Sequence, residues 1–241
     1  MTDPDLSARI RAALAADPAR ILRIEHAGRT VWIKRKERLS PLRRLQKGDA
    51  AASFETERRG LKLLAAAGMP VPALLDEGPG HMALADAGLP LDRMLREGIG
   101  SGAERGEAFA AAGRTLAMLH GRGFCHGRPA VKDMCWDGRR ITLIDLERFA
   151  PERDAIADFA ADLLLFVLSG YTVAQGPSPE VEAGIAAYRA AAPDGVWEAA
   201  RRRAARLAWV GWLTAPLRLR RAGKAREFKA IPLTLAAFRA T

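Results

Sequence analysis

Residues 119 to 148 read LHGRGFCHGRPAVKDMCWDGRRITLIDLER. Leu119-His120 closes an apolar run, a short Gly-containing turn follows, and His126-Gly127-Arg128 opens a loop that reaches Asp133 five residues after Arg128. An apolar stretch, Ile141-Thr142-Leu143-Ile144, then ends on a carboxylate at Asp145, followed by Leu146-Glu147. Upstream, Phe109, Ala112, Leu116 and Leu119 step by three, four and three, which places them on one apolar face of a helix. The spacing predicts a long helix that presents a loop, and a strand that ends in an acidic group beside it.

With 241 residues and 49% apolar content, the chain is long enough to bury a sizeable core in one large domain or two lobes. The longest charge-free stretch, Leu163 to Pro179, is interrupted by Ser, Gly, Gln and Pro, so no segment is expected to span a bilayer. The first twenty residues, MTDPDLSARIRAALAADPAR, are polar and amphipathic without an apolar signal core, and a cytoplasmic location is expected. Cys125 and Cys135 match neither metal nor redox spacing and read as buried reduced thiols.

The net charge of +10 is unevenly placed. From Val196 to the end there are 11 Lys/Arg against 2 Asp/Glu, leaving 27 against 26 for the rest. Arg201, Arg202, Arg203 and Arg206 lie in a helix-like run with Trp197, Leu207, Trp209, Val210, Trp212 and Leu213, and Arg218, Arg220, Arg221, Lys224 and Arg226 follow Pro216. A basic, Trp-bearing helix reads either as a surface that touches phosphates or lipid headgroups, or as a helix pair whose Trp and Leu close the core under a solvated Arg face. No recognised nucleic-acid motif accompanies the charge, which argues against nucleic acid as the partner.

Toward the N-terminus, Ile21 to Glu25 and Thr30 to Lys34 alternate about a turn containing Gly28, a hairpin pattern that puts Val31 and Ile33 on one face and Trp32 and Lys34 on the other. Ser53 to Gly68 reads as a helix stopped by Gly and by Met69-Pro70-Val71-Pro72. Glu57 shares a side of that helix with Leu61 and Leu64, which selects it over Glu55 as a partner for Lys34. Gly80 to Gly88 reads as a strand entering a turn. No G-x-G-x-x-G precedes Lys34.

Together, Trp32-x-Lys34-Arg35, Glu57 with Gly68-x-Pro70-x-Pro72, His126-Gly127, Asp133 and Ile144-Asp145-Leu146-Glu147 resemble the protein-kinase-like superfamily, closest to bacterial lipopolysaccharide core kinases of the Kdo/heptose type. The resemblance runs from about Val31 to Ser169. It implies an α+β, two-lobed protein-kinase-like fold: a reduced N-lobe over 1–85 carrying Lys34 and Glu57, and a mainly helical C-lobe over 86–241 with the catalytic segment 119–148 and basic helices over 196–241. It implies ATP and Mg²⁺ as cofactors, with Asp133 and Asp145 as metal ligands and Lys34 on the nucleotide phosphates, paired with Glu57. Backbone groups around Ala85 to Ala87 would meet the adenine edge. Asp158 or Asp162, with Asp162 favoured, would pin the loop at His126.

Arg128 stands where the family's catalytic Asp belongs. An Arg neither accepts a hydrogen bond nor takes a proton, so Asp133 or Glu147 would have to replace the base, or Arg128 would clamp an anionic acceptor. Two functional readings remain open. One is an ATP-dependent kinase acting on a sugar hydroxyl of an anionic glycolipid or related small molecule, in contact with the inner-membrane surface through its basic C-terminal region. The other is a pseudokinase serving as a nucleotide-binding or scaffold module. A protein Ser/Thr kinase is disfavoured, because no D-F-G to A-P-E activation segment separates Asp145 from the helix that follows.

Overall fold

The hairpin around Gly28 forms as β1 (Ile21–His26) and β2 (Arg29–Arg35), antiparallel, with Ile21 opposite Lys34. Its two central residues, Ala27 and Gly28, have φ of 47° and 71°, the positive pair that a two-residue hairpin turn needs to match strand twist. β3 (Leu74–Gly78) and β4 (His81–Ala85) complete a four-stranded antiparallel sheet in the order β1-β2-β4-β3. The computed structural model describes residues 3–36, 50–215 and 226–239.

Helix α1 (Pro4–Ala16) lays Leu6 and Ile10 on this sheet, and both are buried with Leu22, Val31, Ile33 and Ala83. Asp3 caps α1 by accepting from the Asp5 and Leu6 amides. Helix α2 (Ala50–Ala66) already includes Ala50 to Ala52 ahead of the expected Ser53, in keeping with the high helix propensity of alanine. It ends as expected: Gly68 has φ 69°, its N–H donates to the Ala65 carbonyl, and the Met69 N–H donates to the Leu64 carbonyl.

The chain divides into two compact units. The first holds residues 1–87 together with Leu143–Phe149, and the second holds Gly88–Thr142 with 150–241. The returning segment Leu143–Phe149 is grouped with the first unit through local contacts. The Leu143 N–H donates to the Pro70 carbonyl, and a Cβ on Gly60 would lie 3.1 Å from the Phe149 ring and 3.3 Å from Leu146 Cβ. Helix α2 thus receives Leu146 and Phe149 against the one residue on that face lacking a side chain.

The second unit is mainly helical. A small sheet in the order β5-β6-β7 comprises β5 (Leu89–Pro90), β6 (Met134–Trp136) and β7 (Ile141–Leu143), the last running into the first unit. Its helices are α3 (Leu91–Arg96), α4 (Gly102–Gly121), α5 (Ile156–Ala174), α6 (Pro179–Ala191), α7 (Val196–Arg206), α8 (Ala208–Leu213) and α9 (Arg226–Ala237). On α4, Phe109, Ala112, Leu116 and Leu119 are fully buried, as their spacing predicts. Helices α4 and α6 cross at glycines: a Cβ on Gly113 would stand 2.1 Å from the Gly184 carbonyl oxygen. Neither cysteine is in a disulfide, and both are buried.

Among the described residues, helix α5 is long and apolar enough to cross a membrane by length and composition, more so than its interrupted charge-free stretch suggests. Half of its most apolar window is nevertheless buried, Asp162 within it has no exposed surface, and α7 and α9 pack on it. It is a core helix of the second unit. The basic residues Arg218, Arg220, Arg221 and Lys224 lie outside the described residues.

Candidate functional site

In the first unit, β2 delivers Lys34 and α2 delivers Glu57, and the two side chains form an ion pair. Alternation along β2 buries Val31 and Ile33 and leaves Lys34 on the opposite face, half-buried. Glu57 is 4% exposed in its side chain, whereas Glu55 is exposed and sits 3.7 Å from Arg58. The selection of Glu57 by helical position therefore matches the pairing. The Leu143–Phe149 segment brings two more carboxylates: Glu147 Oε1 accepts from Lys34 Nζ at 2.9 Å, and Asp145 Oδ1 lies 4.0 Å from the same ammonium. Lys34 is thus held among three carboxylates.

Electrostatics follow from that arrangement. Burial alone would lower the Lys34 pKa, but Glu57 and Glu147 outweigh it and hold the ammonium above its ordinary value. Burial pushes Glu57 up against the pull of Lys34. Glu147, more exposed, is pushed up by burial but brought below its ordinary value by the Lys34 hydrogen bond and charge. Asp145 has φ 60°, a left-handed conformation that Asp tolerates better than most residues. Asp145 and Glu147 leave 20% and 29% of their side chains exposed. Among the described residues no group of three His, Cys, Asp or Glu forms a metal-binding cluster.

A further member escaped the sequence reading. Arg20 Nη2 lies 2.5 Å from Glu147 Oε1, so Glu147 bridges two cations. The signal was present in the hairpin register: Ile21 faces Lys34, and the Arg35 N–H donates to the Arg20 carbonyl, which sets Arg20 at the end of β1 that carries Lys34 across from it. Ala85 ends β4, and its N–H donates to the Ala73 carbonyl, so that amide already has its acceptor. Ala87 is the last residue of the first unit's N-terminal part.

In the second unit the loop after α4 is pinned from within. Asp162, on α5, accepts from the His126 amide at 2.6 Å and from the Gly127 amide at 3.2 Å. Asp158 instead pairs with Arg153 at 3.1 Å near the surface. The preference for Asp162 is met. Gly127 has φ 90°, a conformation that the loop requires and that a side chain would oppose. Beneath it, His120 stacks on Phe159 with ring centroids 4.8 Å apart and shares a 2.7 Å hydrogen bond with the Tyr188 hydroxyl. His126 is fully buried and Arg128 half-buried. The Asp133 side chain is 3% exposed, and Lys132 Nζ donates to its Oδ1 at 2.8 Å. Lys34, Glu57, Asp145 and Glu147 are therefore assembled in one unit, and His126, Arg128 and Asp133 share the pinned segment of the other.

No family model matches the chain. A Haemophilus influenzae chain described as an uncharacterized protein is 25% identical over 147 residues, which are 61% of this chain and 61% of that protein, so the match spans less than two thirds of the relative. Among solved structures, the bifunctional kinase-methyltransferase WbdD aligns at a TM-score of 0.47 with 16% identity, over 94% of this chain and 45% of its own, a likeness too distant to carry an argument.

Proposed function

We propose that the chain is a kinase-like phosphotransferase, its first unit engaging nucleotide polyphosphate and its second carrying the acceptor loop. The observation that carries this reading is the Lys34 ammonium among Glu57, Glu147 and Asp145. Glu57 is buried and fixes the lysine, while Glu147 is the partly exposed, exchangeable partner. A phosphate oxygen arriving at Lys34 replaces the Glu147 carboxylate and leaves Glu57 in place. Magnesium fits this donor set. The ion prefers hard oxygens, keeps several waters, and is commonly held by one or two carboxylates plus the phosphates, so Asp145 suffices without a three-residue cluster. Bound Mg²⁺ would neutralise charge developing on the transferred group. At Asp133 the ion would compete with Lys132 for Oδ1.

For the acceptor, the reading assigns a hydroxyl of an anionic sugar or glycolipid, with Arg128 on the anionic group. Transfer through a loose transition state depends mostly on positioning and charge, and loss of the usual base costs on the order of 10²–10⁴ in rate. A cytoplasmic enzyme working at the inner membrane surface fits such an acceptor. A pseudokinase scaffold is the second reading. It is favoured by Arg128 and by the two-residue turn Ala27-Gly28, which is too short to cover phosphates as a glycine-rich loop does.

Thermal unfolding with ATP and Mg²⁺, and with ATP and EDTA, tests the proposal. At hundredfold saturation, binding adds about 2.7 kcal/mol, or roughly 5–10 °C for a chain of this size. The shift is expected to require Mg²⁺ and to vanish in Asp145→Asn. No shift at millimolar ATP would favour the scaffold.

A further inference from the structure

The C-terminal tryptophans divide into two populations. Trp197 on α7 is buried, its ring 5.1 Å from Phe238, so it closes the core. On α8, Trp209 and Trp212 are 60% and 82% exposed and Leu213 is 60% exposed, and Gly211 is the buried residue of that helix. Large apolar side chains grouped on one short helix mark an interaction surface, since scattered singles are ordinary and a cluster is not.

Charge lies beside this apolar group. Helix α7 buries Val196, Trp197, Ala200 and Ala204 and turns Arg202, Arg203 and Arg206 to solvent. These three arginines, with Ala199 of the same helix and Ala157 and Ala160 of α5, line a groove of about 310 Å³. A second groove, about 330 Å³, is lined by Leu164, Leu165, Leu168, Leu207, Val210 and their neighbours. Arg203 borders both.

We infer that α7 and α8 form a seat for an anionic phospholipid surface, with headgroup phosphate on Arg202, Arg203 and Arg206, acyl chain in the leucine-lined groove, and Trp209 and Trp212 at the headgroup level. Guanidinium groups pair with phosphate oxygens bidentately, and indole rings settle at the boundary between hydrocarbon and water. Charge complementarity selects this occupant. Residues 196–215 carry four Arg against one Glu, so a second copy would bring like charge to like charge. Nucleic acid would satisfy the arginines but leave the leucine-lined groove without an apolar ligand. The seat is independent of the nucleotide chemistry proposed above.

Co-sedimentation of the full chain with phosphatidylcholine vesicles, with and without phosphatidylglycerol, tests it. Binding is expected only to the anionic vesicles and to weaken with salt, with a blue shift of tryptophan fluorescence. At about 1 kcal/mol per surface arginine, the triple variant Arg202→Glu/Arg203→Glu/Arg206→Glu should bind at least roughly 100-fold more weakly. Trp209→Ala/Trp212→Ala should abolish the fluorescence shift and weaken binding while changing the melting temperature little, since both side chains are mostly exposed. Equal binding to neutral vesicles, or binding indifferent to both variants, overturns the inference. So does stabilisation by inorganic phosphate without vesicle binding, or a tryptophan-dependent dimer that ignores vesicles.

Discussion

Glu147 Oε1 accepts a hydrogen bond from Lys34 Nζ at 2.9 Å, occupying the side of the ammonium that Glu57 does not cover. This carboxylate is an internal competitor for any anion that uses Lys34. Arg20, 2.5 Å from the same oxygen, strengthens its hold.

Removing the competitor should tighten nucleotide binding. Glu147→Gln keeps the shape and deletes the charge, and calorimetric titration with ATP and Mg²⁺ should show affinity raised by up to about tenfold, the equivalent of 1.4 kcal/mol. Weaker binding would instead make Glu147 a contributor to the metal or nucleotide site.

The Lys34 pair should also shape stability against pH. Lys34→Met leaves the buried Glu57 carboxylate without a cation and should lower unfolding free energy by about 3–5 kcal/mol, most of it recovered in Lys34→Met/Glu57→Met. Because the folded pKa of Lys34 is raised, its contribution is complete below its ordinary 10.5 and is lost as pH rises through the folded value. Glu147, depressed below 4.5, gives a contribution that is lost as pH falls through its folded value. In the single variant, burial and the neighbouring Asp145 and Glu147 carboxylates all raise the Glu57 pKa with no cation to oppose them, so that variant loses stability as pH climbs above 4.5. Denaturant titrations should therefore find the gap between wild type and Lys34→Met widest from about pH 6 to 10.

Asp162 should govern the loop at His126. Asp162→Ala strands two buried amide donors at about 1–3 kcal/mol each, whereas Asp158→Ala, which breaks a partly exposed pair with Arg153, should cost no more than about 1 kcal/mol. Hydrogen exchange at the His126 and Gly127 amides should accelerate in the first variant and not in the second.

At the crossing of α4 and α6, Gly113→Ala sets a methyl 2.1 Å from the Gly184 carbonyl oxygen, so the helices must separate. Overpacking of this kind costs about 1–3 kcal/mol or more, and the melting temperature should fall by roughly 2–10 °C, despite the better helix propensity of alanine.

Cys125 should be inert in the folded chain. Burial pushes its thiol up to about 12, so thiolate is scarce at neutral pH. A thiol reagent at pH 8 should label neither cysteine until denaturant is added.

Local rules made much of this protein legible from its residues. Two-residue alternation set the Lys34 face of β2, helical spacing picked Glu57 and the buried face of α4, and a Gly-Pro stop closed α2, because each depends on neighbours within a few positions. The cluster around Lys34 was legible in part for the same reason. Other features depend on contacts between distant parts of the chain. That Glu147 rests on Lys34 and Arg20 follows from Leu146 and Phe149 docking at Gly60, more than eighty residues upstream. Which tryptophans close the core and which face solvent also required the tertiary structure. Trp197, Trp209 and Trp212 share one composition and one charged neighbourhood, and only the packing of α7 and α9 against α5 distinguishes them.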